Sequence, residues 1–383
     1  MRQAAHTPVY FDNAATSFPK PESVYGAVQR AMREAGGNPG RGGHPLSERA
    51  GEAVYHMRET AAALFAAEPE HIVMTLNCTH ALNLAVYGLL RQGDHVIISS
   101  LEHNSVARPA AALADAGVIR LSVARVYPDD DRTLAEFRRL LTPRTKAVIC
   151  TLVSNVTGQI LPYRQIAALC RANGTVMIAD GAQGCGILPV TLRDGMHLLC
   201  TAGHKGLYGP TGTGLLISDG TVSLKPLMQG GTGSRSASLE QPDFLPDALE
   251  PGTVNVPGAA GLDAGMQYVM QTGTAQIFAK ETEICERLIA GLRKLPDAVI
   301  YRADGARYAP VVSFTLGREP PDETAARLAK QGFCVRAGLH CAPLAHRSLG
   351  TAGGTVRLSP SAFNTEQEAD AFLKALRTES RAK

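Results

Sequence analysis

Short apolar segments alternate with helical segments through residues 71–217, and this alternation limits the possible folds more than any other feature. Segments of strand length, such as 146–153 and 175–179, are separated by stretches with helical periodicity, such as Tyr163 to Ala172. Strand–helix alternation is typical of a mostly parallel sheet covered by helices. Such sheets bind ligands at the carboxyl ends of their strands. We therefore predict an α/β fold with functional residues directly after the strands.

Two strand ends carry the residues that best indicate a reaction. Lys205 follows the apolar segment 198–201 on a loop rich in Gly and Pro, and a strand resumes at 213–217. Partial burial there favours the neutral amine, which suits Schiff-base chemistry. Asp180 ends the preceding strand, where a carboxylate can keep a pyridinium nitrogen protonated. The pair indicates pyridoxal 5′-phosphate (PLP), although a lone lysine more often only extends from a strand end to solvent.

The chain resembles the class V aminotransferase-like family of fold-type I PLP enzymes, specifically its cysteine desulfurase and selenocysteine lyase branch. The resemblance runs from Tyr10 to the final helix. It rests on the order of these residues along the chain: Asp180, Gln183, His204-Lys205, Cys341 and Arg357.

The resemblance implies a fold-type I PLP-dependent transferase. We expect a large domain with a mostly parallel seven-stranded sheet and a smaller α+β C-terminal domain. The N-terminal segment, residues 1–20, would pack near the active site, the large domain would span 21–258, and the small domain 259–383. The small domain would carry the cysteine loop and the carboxylate-binding arginine.

Composition is consistent with this interpretation and argues against several other classes. The net charge is +3 without a run of basic residues, and Trp is absent, so we expect no nucleic-acid partner. No apolar run reaches membrane-spanning length, and the first ten residues lack a signal pattern, so a cytoplasmic protein is expected. The eight cysteines form no CxxC pair or metal-spaced cluster, which predicts neither a metal site nor a disulfide framework.

Cys341 differs from the other seven cysteines because it follows His340 on a Gly-containing loop. A loop thiol near cationic groups can be a thiolate at neutral pH. The pattern Arg-x-Gly-x-His-Cys is similar to that of the family's persulfide-forming cysteine. Arg357 lies in an apolar strand and needs an anionic partner. The resemblance implies that this partner is the substrate α-carboxylate, with an internal salt bridge as the alternative.

Several further residues are expected to hold the cofactor. The strand 71–76 leads through Asn77-Cys78-Thr79-His80 into a helix, whose free N–H groups form a phosphate site. We assign Cys78 and Thr79 to it, although Thr79 as an ordinary N-cap explains the pattern equally well. His204 is a further phosphate donor. The family's Ser or Thr three residues before the lysine is Ala202 here, and the sequence does not decide whether Thr201 replaces it.

The resemblance also implies roles around the cofactor ring. His103, just after the strand 94–100, would stack on the ring and transfer protons, with helix capping as the alternative. Asn155 would lie near the ring and the substrate carboxylate, with an Asx turn as the alternative. Gln183 would meet the phenolic oxygen of PLP.

The remaining predicted residues lie at the mouth of the site. We assign substrate contacts to Asn13 and Ala15 in the N-terminal segment, and to Arg41 and His44 in a glycine-rich loop. Family resemblance implies that Thr253 contacts the PLP phosphate of a neighbouring subunit, which makes the protein a homodimer. The alternative for the N-terminal segment is an ordinary turn, and the alternative for the glycine-rich loop and for the segment around Thr253 is a surface loop.

The sequence thus predicts a PLP-dependent cysteine desulfurase. Lys205 and His103 would move protons, and the Cys341 thiolate would take sulfur from L-cysteine, releasing L-alanine. The alternatives are a selenocysteine lyase, less readily an aminotransferase, and a sulfur-relay protein without turnover. The sequence does not identify the sulfur-acceptor protein, nor does it show whether an activator is needed.

Overall fold

The computed structural model describes residues 8–40 and 42–378. Strands and helices alternate up to residue 218, as follows: β1 Val9–Tyr10, α1 Glu22–Glu34, α2 Pro45–Phe65, β2 Ile72–Thr75, α3 Cys78–Leu89, β3 Asp94–Ser99, α4 Asn104–Asp115, β4 Ile119–Ala124, α5 Asp130–Leu140, β5 Thr145–Thr151, α6 Tyr163–Ala172, β6 Val176–Asp180, β7 Leu198–Ala202 and β8 Gly214–Ser218. The rest of the described chain contains α7 Val256–Thr272, α8 Thr274–Leu292, β9 Ala298–Ile300, β10 Val312–Leu316, α9 Pro321–Lys330, β11 Phe333–Cys334, β12 Arg336–Gly338, α10 Pro343–Leu349, β13 Thr355–Leu358 and α11 Glu366–Thr378.

The main sheet has seven strands in the order β2-β8-β7-β6-β5-β3-β4. Only β8 runs antiparallel to its neighbours, so the predicted mostly parallel seven-stranded sheet is confirmed. Its central strands β5 and β7 are mostly apolar and, except for Lys146 near the start of β5, buried, because helices cover both faces.

The strand order places several strand ends side by side. The chain goes outward from β3 to β4 and then returns to β5, so β3 and β5 flank a switch point, where a crevice forms in sheets of this type. The register pairs Thr151 with Asp180, and Asp180 with Cys200. The carboxyl ends of β5, β6 and β7 therefore lie side by side at one end of the sheet.

A second core lies beneath a four-stranded antiparallel sheet in the order β12-β13-β10-β9. Helices α8, α9 and α11 pack around it, and Phe11 of the N-terminal segment is fully buried against Phe372. The N-terminal segment reaches this core because β1 pairs in parallel with β11.

Helix α7 belongs to the large core and not to the small one. Its buried residues, including Leu262 and Met266, pack in the same apolar cluster as α2 and the main sheet, whereas the small core begins at Ile284 in α8. Helices α7 and α8 meet at Gly273, where φ is +84°. We therefore propose a domain boundary near Gly273, rather than at 258–259.

Candidate active site

A cavity of about 280 Å³ opens at the carboxyl ends of the main strands, between the two cores. Most predicted site residues line it: Ala15, Cys78, Thr79, His103, Asn155, Asp180, Gln183, His204, Lys205, Cys341 and Arg357. The predicted amine, carboxylate, guanidinium and thiol therefore share one cavity.

Lys205 is held on a tightly folded loop after β7. A side chain at Gly206 would place its Cβ 2.3 Å from the Cys185 carbonyl oxygen, so only glycine allows this loop to approach the turn after β6. Lys205 is thereby brought beside Asp180 and Gln183. Burial lowers the pKa of the Lys205 ammonium, while Asp180 opposes that shift.

Asp180 is buried and accepts two hydrogen bonds at Oδ1, from the Ala182 amide at 2.9 Å and the Cys78 thiol at 3.4 Å. Burial, reinforced by Asp180, raises the pKa of Cys78 well above its ordinary value, so this thiol stays protonated. The Cys78 thiol thus contacts the carboxylate, and the predicted role of Cys78 at the phosphate stays a prediction.

His103 caps helix α4, as the structural alternative predicted, and it also lines the cavity. Its Nδ1 accepts from the Ser105 amide at 3.0 Å, which leaves the ring hydrogen on Nε2 in the neutral form. Burial lowers the pKa of His103 to about 4. The imidazole is therefore neutral at physiological pH, with one N–H to donate.

The predicted phosphate end of the cavity is built from α3 and the Lys205 loop. Asn77, not Thr79, caps α3 by accepting from the His80 amide at 2.9 Å, so the Thr79 hydroxyl is left exposed. Ala202 lines the cavity, whereas the Thr201 hydroxyl lies 3.5 Å from the Gly181 carbonyl oxygen. Successive strand side chains point to opposite faces, so Thr201 does not replace the hydroxyl missing at Ala202.

Arg357 is buried in β13, with 1% of its surface exposed. It donates to the Asn155 carbonyl at 2.9 Å and to Asp12 Oδ1 at 2.8 Å, while its Nε has no partner among the described residues. The internal salt bridge considered as an alternative is thus present. Arg357 nevertheless lines the cavity and its Nε has no partner in the described chain, so the guanidinium can still bind a ligand carboxylate.

Cys341 lies on a strained loop, and it is the exposed one of the eight free cysteines. His340 and Cys341 have positive φ angles of 49° and 55°, which are unfavourable for side chains other than glycine. Hydrogen bonds from other elements hold the loop: the Asn104 amide donates to the Cys341 carbonyl at 2.7 Å, and Asn155 Nδ2 donates to the His340 carbonyl at 2.7 Å. Asn155 therefore positions the cysteine loop.

Three of the predicted residues that the structure describes do not line this cavity. His44 is an exposed N-cap of α2, and the Asn13 amide is occupied by Phe18 and Ser359. Thr253 is exposed beside a separate cavity of about 220 Å³. Arg41 lies outside the described residues.

Sequence reasoning missed two charged residues, Arg336 and Asp12. Arg336 lines the cavity, and its Nη2 lies 3.9 Å from Cys341 Sγ. It is the first residue of the Arg-x-Gly-x-His-Cys pattern, so a signal for it existed. Asp12 pairs with a residue 345 positions away, and no local pattern indicates such a contact.

The α/β fold with a cavity at its strand ends is that of fold-type I PLP enzymes, and comparisons with known proteins agree. The family model "Aminotransferase class-V" matches residues 9–372. The chain is 32% identical over 377 residues to a probable cysteine desulfurase of Xylella fastidiosa, covering 96% of this chain and 90% of that one. It is 33% identical over 379 residues to the probable cysteine desulfurase 1 of Mycobacterium leprae, covering 96% of this chain but only 61% of that relative's length.

A solved structure shows the same fold. The apo cysteine desulfurase of Thermococcus onnurineus NA1 superposes with a TM-score of 0.92 at 30% identity, covering 98% of this chain and 95% of that one. The chain belongs to the class-V aminotransferase family and, within it, to the cysteine desulfurase family. The predicted family and fold class are confirmed.

Members of this family are PLP-dependent, and the residues present here fit that cofactor. The protein hydrogen bonds of Asp180 described above both go to Oδ1, so Oδ2 is available to a pyridinium nitrogen. His204 Nδ1 is buried without a partner in the described chain, at the end where a phosphate is expected. Among residues 8–40 and 42–378, no helix is long and apolar enough to cross a membrane, and no cluster of metal-ligating side chains occurs.

Proposed function

We propose that this protein is a PLP-dependent cysteine desulfurase that converts L-cysteine to L-alanine and keeps the sulfur as a persulfide on Cys341. One observation carries the proposal. The exposed cysteine of this chain lines the same cavity as Lys205, Asp180 and Arg357. An amino-transfer reaction does not use a thiol.

PLP, when bound, supplies a conjugated ring that takes up electrons from the substrate. Asp180 would hold its ring nitrogen protonated, and Gln183 would meet its phenolic oxygen. His204, Thr79 and the N-terminus of α3 would hold the phosphate. These assignments are supported by burial, by the unpartnered His204 nitrogen and by a shared cavity.

Substrate would be held by its carboxylate at Arg357, with Asn155 and Ala15 lining the same space. Lys205 would accept and return a proton at Nζ, since burial favours its neutral form. His103 would donate from Nε2, because its Nδ1 is occupied by the Ser105 amide. The substrate contacts of Asn13, Arg41 and His44 remain predictions.

Sulfur transfer would occur at Cys341. Its thiolate attacks the substrate sulfur, an S–S bond forms, and the carbon–sulfur bond breaks with its electron pair returning to the substrate carbon. Protonation of that carbon and release from the enzyme then give L-alanine. Arg336 Nη2 lies 3.9 Å from Cys341 Sγ and would donate to the sulfur.

The wider assignments also belong to this proposal. We infer a homodimer in which Thr253 contacts the neighbouring subunit's phosphate, supported by its exposure away from its own cavity. We also infer a cytoplasmic location and transfer of the sulfur to an acceptor protein, with iron–sulfur cluster assembly as one possible use.

Mass spectrometry of Cys341 after incubation with L-cysteine tests the proposal. We expect one added sulfur atom on Cys341 in the wild type and none in Lys205→Ala. Cys334→Ala, which changes a half-buried cysteine that does not line the cavity, is the matched control and should behave as wild type. Alanine formation at the normal rate in Cys341→Ala would contradict the desulfurase proposal. Activity of that variant on L-selenocysteine alone would instead support a selenocysteine lyase.

A further inference from the structure

A second, smaller cavity lies on the other side of Lys205. It holds about 40 Å³ and shares Ala14, Ala182, Gln183 and Lys205 with the main cavity. We call it the rear cavity. A buried water needs roughly 10–15 Å³ and two or more polar partners, so the rear cavity can hold water.

Glu281 of α8 lines the rear cavity and is 6% exposed. It accepts a hydrogen bond from the Tyr208 hydroxyl at 3.2 Å, and it has no ion-pair partner within residues 8–40 and 42–378. A buried carboxyl without a cation favours its protonated form. Burial accordingly raises the pKa of Glu281 to about 8.

We propose that Glu281 stores a proton and exchanges it with Lys205 Nζ through water in the rear cavity. In the forward direction the Glu281 carboxyl releases a proton to water, and water passes a proton to the amine. A carboxylate and an ammonium result. The reverse transfer restores both neutral groups, so no other reactant is needed.

The surroundings of Glu281 favour this exchange over one with another neighbour. The titratable groups that face it are Tyr208 on the Lys205 loop, Cys285 on its own helix, and Lys205 across the cavity, while Tyr268 on α7 packs against the Tyr208 ring. Burial raises the pKa of Tyr208 and raises that of Cys285 to about 12, so neither releases a proton near neutrality. Ser17 and Ser361 also line the rear cavity and can hydrogen-bond the water.

Glu281→Gln tests the inference because glutamine keeps the shape and the Tyr208 contact but cannot release a proton. Glu283→Gln, an exposed change on the same helix, is the matched control. Two readouts are measured on purified holoenzyme from pH 6 to 10: the visible absorbance of the lysine-bound cofactor without substrate, and alanine formation from L-cysteine. The activity readout rests on the proposed function; the absorbance readout does not.

We expect the wild type and Glu283→Gln to show a step in alanine formation near pH 8. Glu281→Gln should lose that step and lose about tenfold in rate at pH 7, at the low end of general acid–base effects. The pH at which the absorbance of Glu281→Gln changes should be lower by about half a unit. No carboxylate remains in this variant to favour the protonated form of the Lys205 nitrogen.

Superimposable profiles for Glu281→Gln and wild type in both readouts would overturn the inference. If the wild type forms no alanine, the proposed function fails, and the absorbance titration alone decides the role of Glu281. Should Glu281→Gln not fold, Tyr208→Phe provides the second test. It removes one of two donors to the carboxylate, the other being the Ala362 amide, so the step near pH 8 should move upward.

Discussion

The two sides of the cavity are built differently. The sheet face, defined by His103, Asp180 and Lys205, uses groups placed at or just after parallel strand ends. The small-domain face, defined by Arg336, Cys341 and Arg357, uses an antiparallel sheet and a loop with two left-handed residues. Chemical groups on the sheet face are at least half-buried, whereas the thiol is exposed.

This difference separates the two halves of the proposed reaction. Buried groups at strand ends have fixed positions and shifted pKa values, which suits cofactor binding and proton transfer. In the proposed reaction the persulfide is passed to an acceptor protein, which requires its cysteine to be accessible. The loop conformation costs about 1 kcal/mol or more at each left-handed residue, and Asn104 and Asn155 hold it in place.

The largest expected effects come from substituting one residue on each face of the cavity. Asp180→Ala should abolish both the cofactor absorbance and alanine formation, the latter at least about 10³-fold. Cys341→Ser should lose alanine formation to a similar extent while keeping the absorbance, because the thiol has no part in holding the cofactor. Spectra of purified protein and an alanine assay measure both.

Asp115→Ala, which changes an exposed residue at the end of α4, is the control for the first change. Cys334→Ser serves the second. Loss of cofactor absorbance in Cys341→Ser would show that the two faces are not separable.

Arg357 tests whether the small-domain face binds substrate or only the N-terminal segment. Arg357→Met should raise the KM for L-cysteine about 100-fold, since losing one partner of a buried hydrogen-bonded charge pair costs about 2–5 kcal/mol. Asp12→Asn should destabilise the fold and change KM much less. Equal effects of the two variants on KM and on urea midpoint would mean that the arginine serves only the internal ion pair.

The sheet face could be predicted from sequence, and the small-domain face only in part. Lys205 and Asp180 end strands of one parallel sheet, so their convergence follows from strand topology. Cys341 was indicated by its loop pattern. Asp12 reaches Arg357 only because β1 pairs with β11 across more than three hundred residues, and no local signal encodes such a pairing.

The sequence also did not predict which backbone groups the polar side chains near the cavity hydrogen-bond. Asn155 holds the His340 carbonyl, and Asn77 caps α3 in place of Thr79. Short polar side chains satisfy whichever backbone group lies nearest, and that choice depends on the folded geometry.

The pH dependence of stability involves both faces. Burial lowers the pKa of His103 and His204 to about 4 and of His340 to about 2. The unfolded chain therefore binds more protons below pH 6.5, and stability falls as pH drops through that range. Burial raises the pKa of Glu102 and Glu281 to about 8, so the folded chain binds more protons above pH 4.5, and stability falls as pH rises towards 8.

Both kinds of group affect stability between pH 4.5 and 6.5, and in this pH range more histidines than glutamates have shifted pKa values. Burial lowers the pKa of these seven: His80, His95, His103, His197, His204, His340 and His346. We therefore expect a maximum in the urea midpoint near pH 6.5, with about 2 kcal/mol lost on each side by pH 4.5 and 8. Glu102→Gln should flatten the alkaline side, and a midpoint that keeps rising through pH 8 would contradict the assignment.

The smallest expected effect concerns the phosphate end of the sheet face. Ala202 lines the cavity at a position where the family commonly has a hydroxyl, and Thr201 beside it faces Gly181 instead. Ala202→Ser should restore one hydrogen bond to the phosphate, worth about 1 kcal/mol, and so tighten PLP binding about fivefold. Equilibrium dialysis of PLP against the reconstituted variants measures this change.

The matched control is Thr201→Ser, which keeps a hydroxyl on the opposite face of β7 and should leave PLP affinity unchanged. An Ala202→Ser variant that binds PLP more weakly would mean that the added hydroxyl cannot reach the phosphate. In that case the β7 end is packed for alanine, and His204 with the α3 N-terminus would supply the phosphate contacts without it. The phosphate end of the sheet face would then be as closely packed as the region around Asp180.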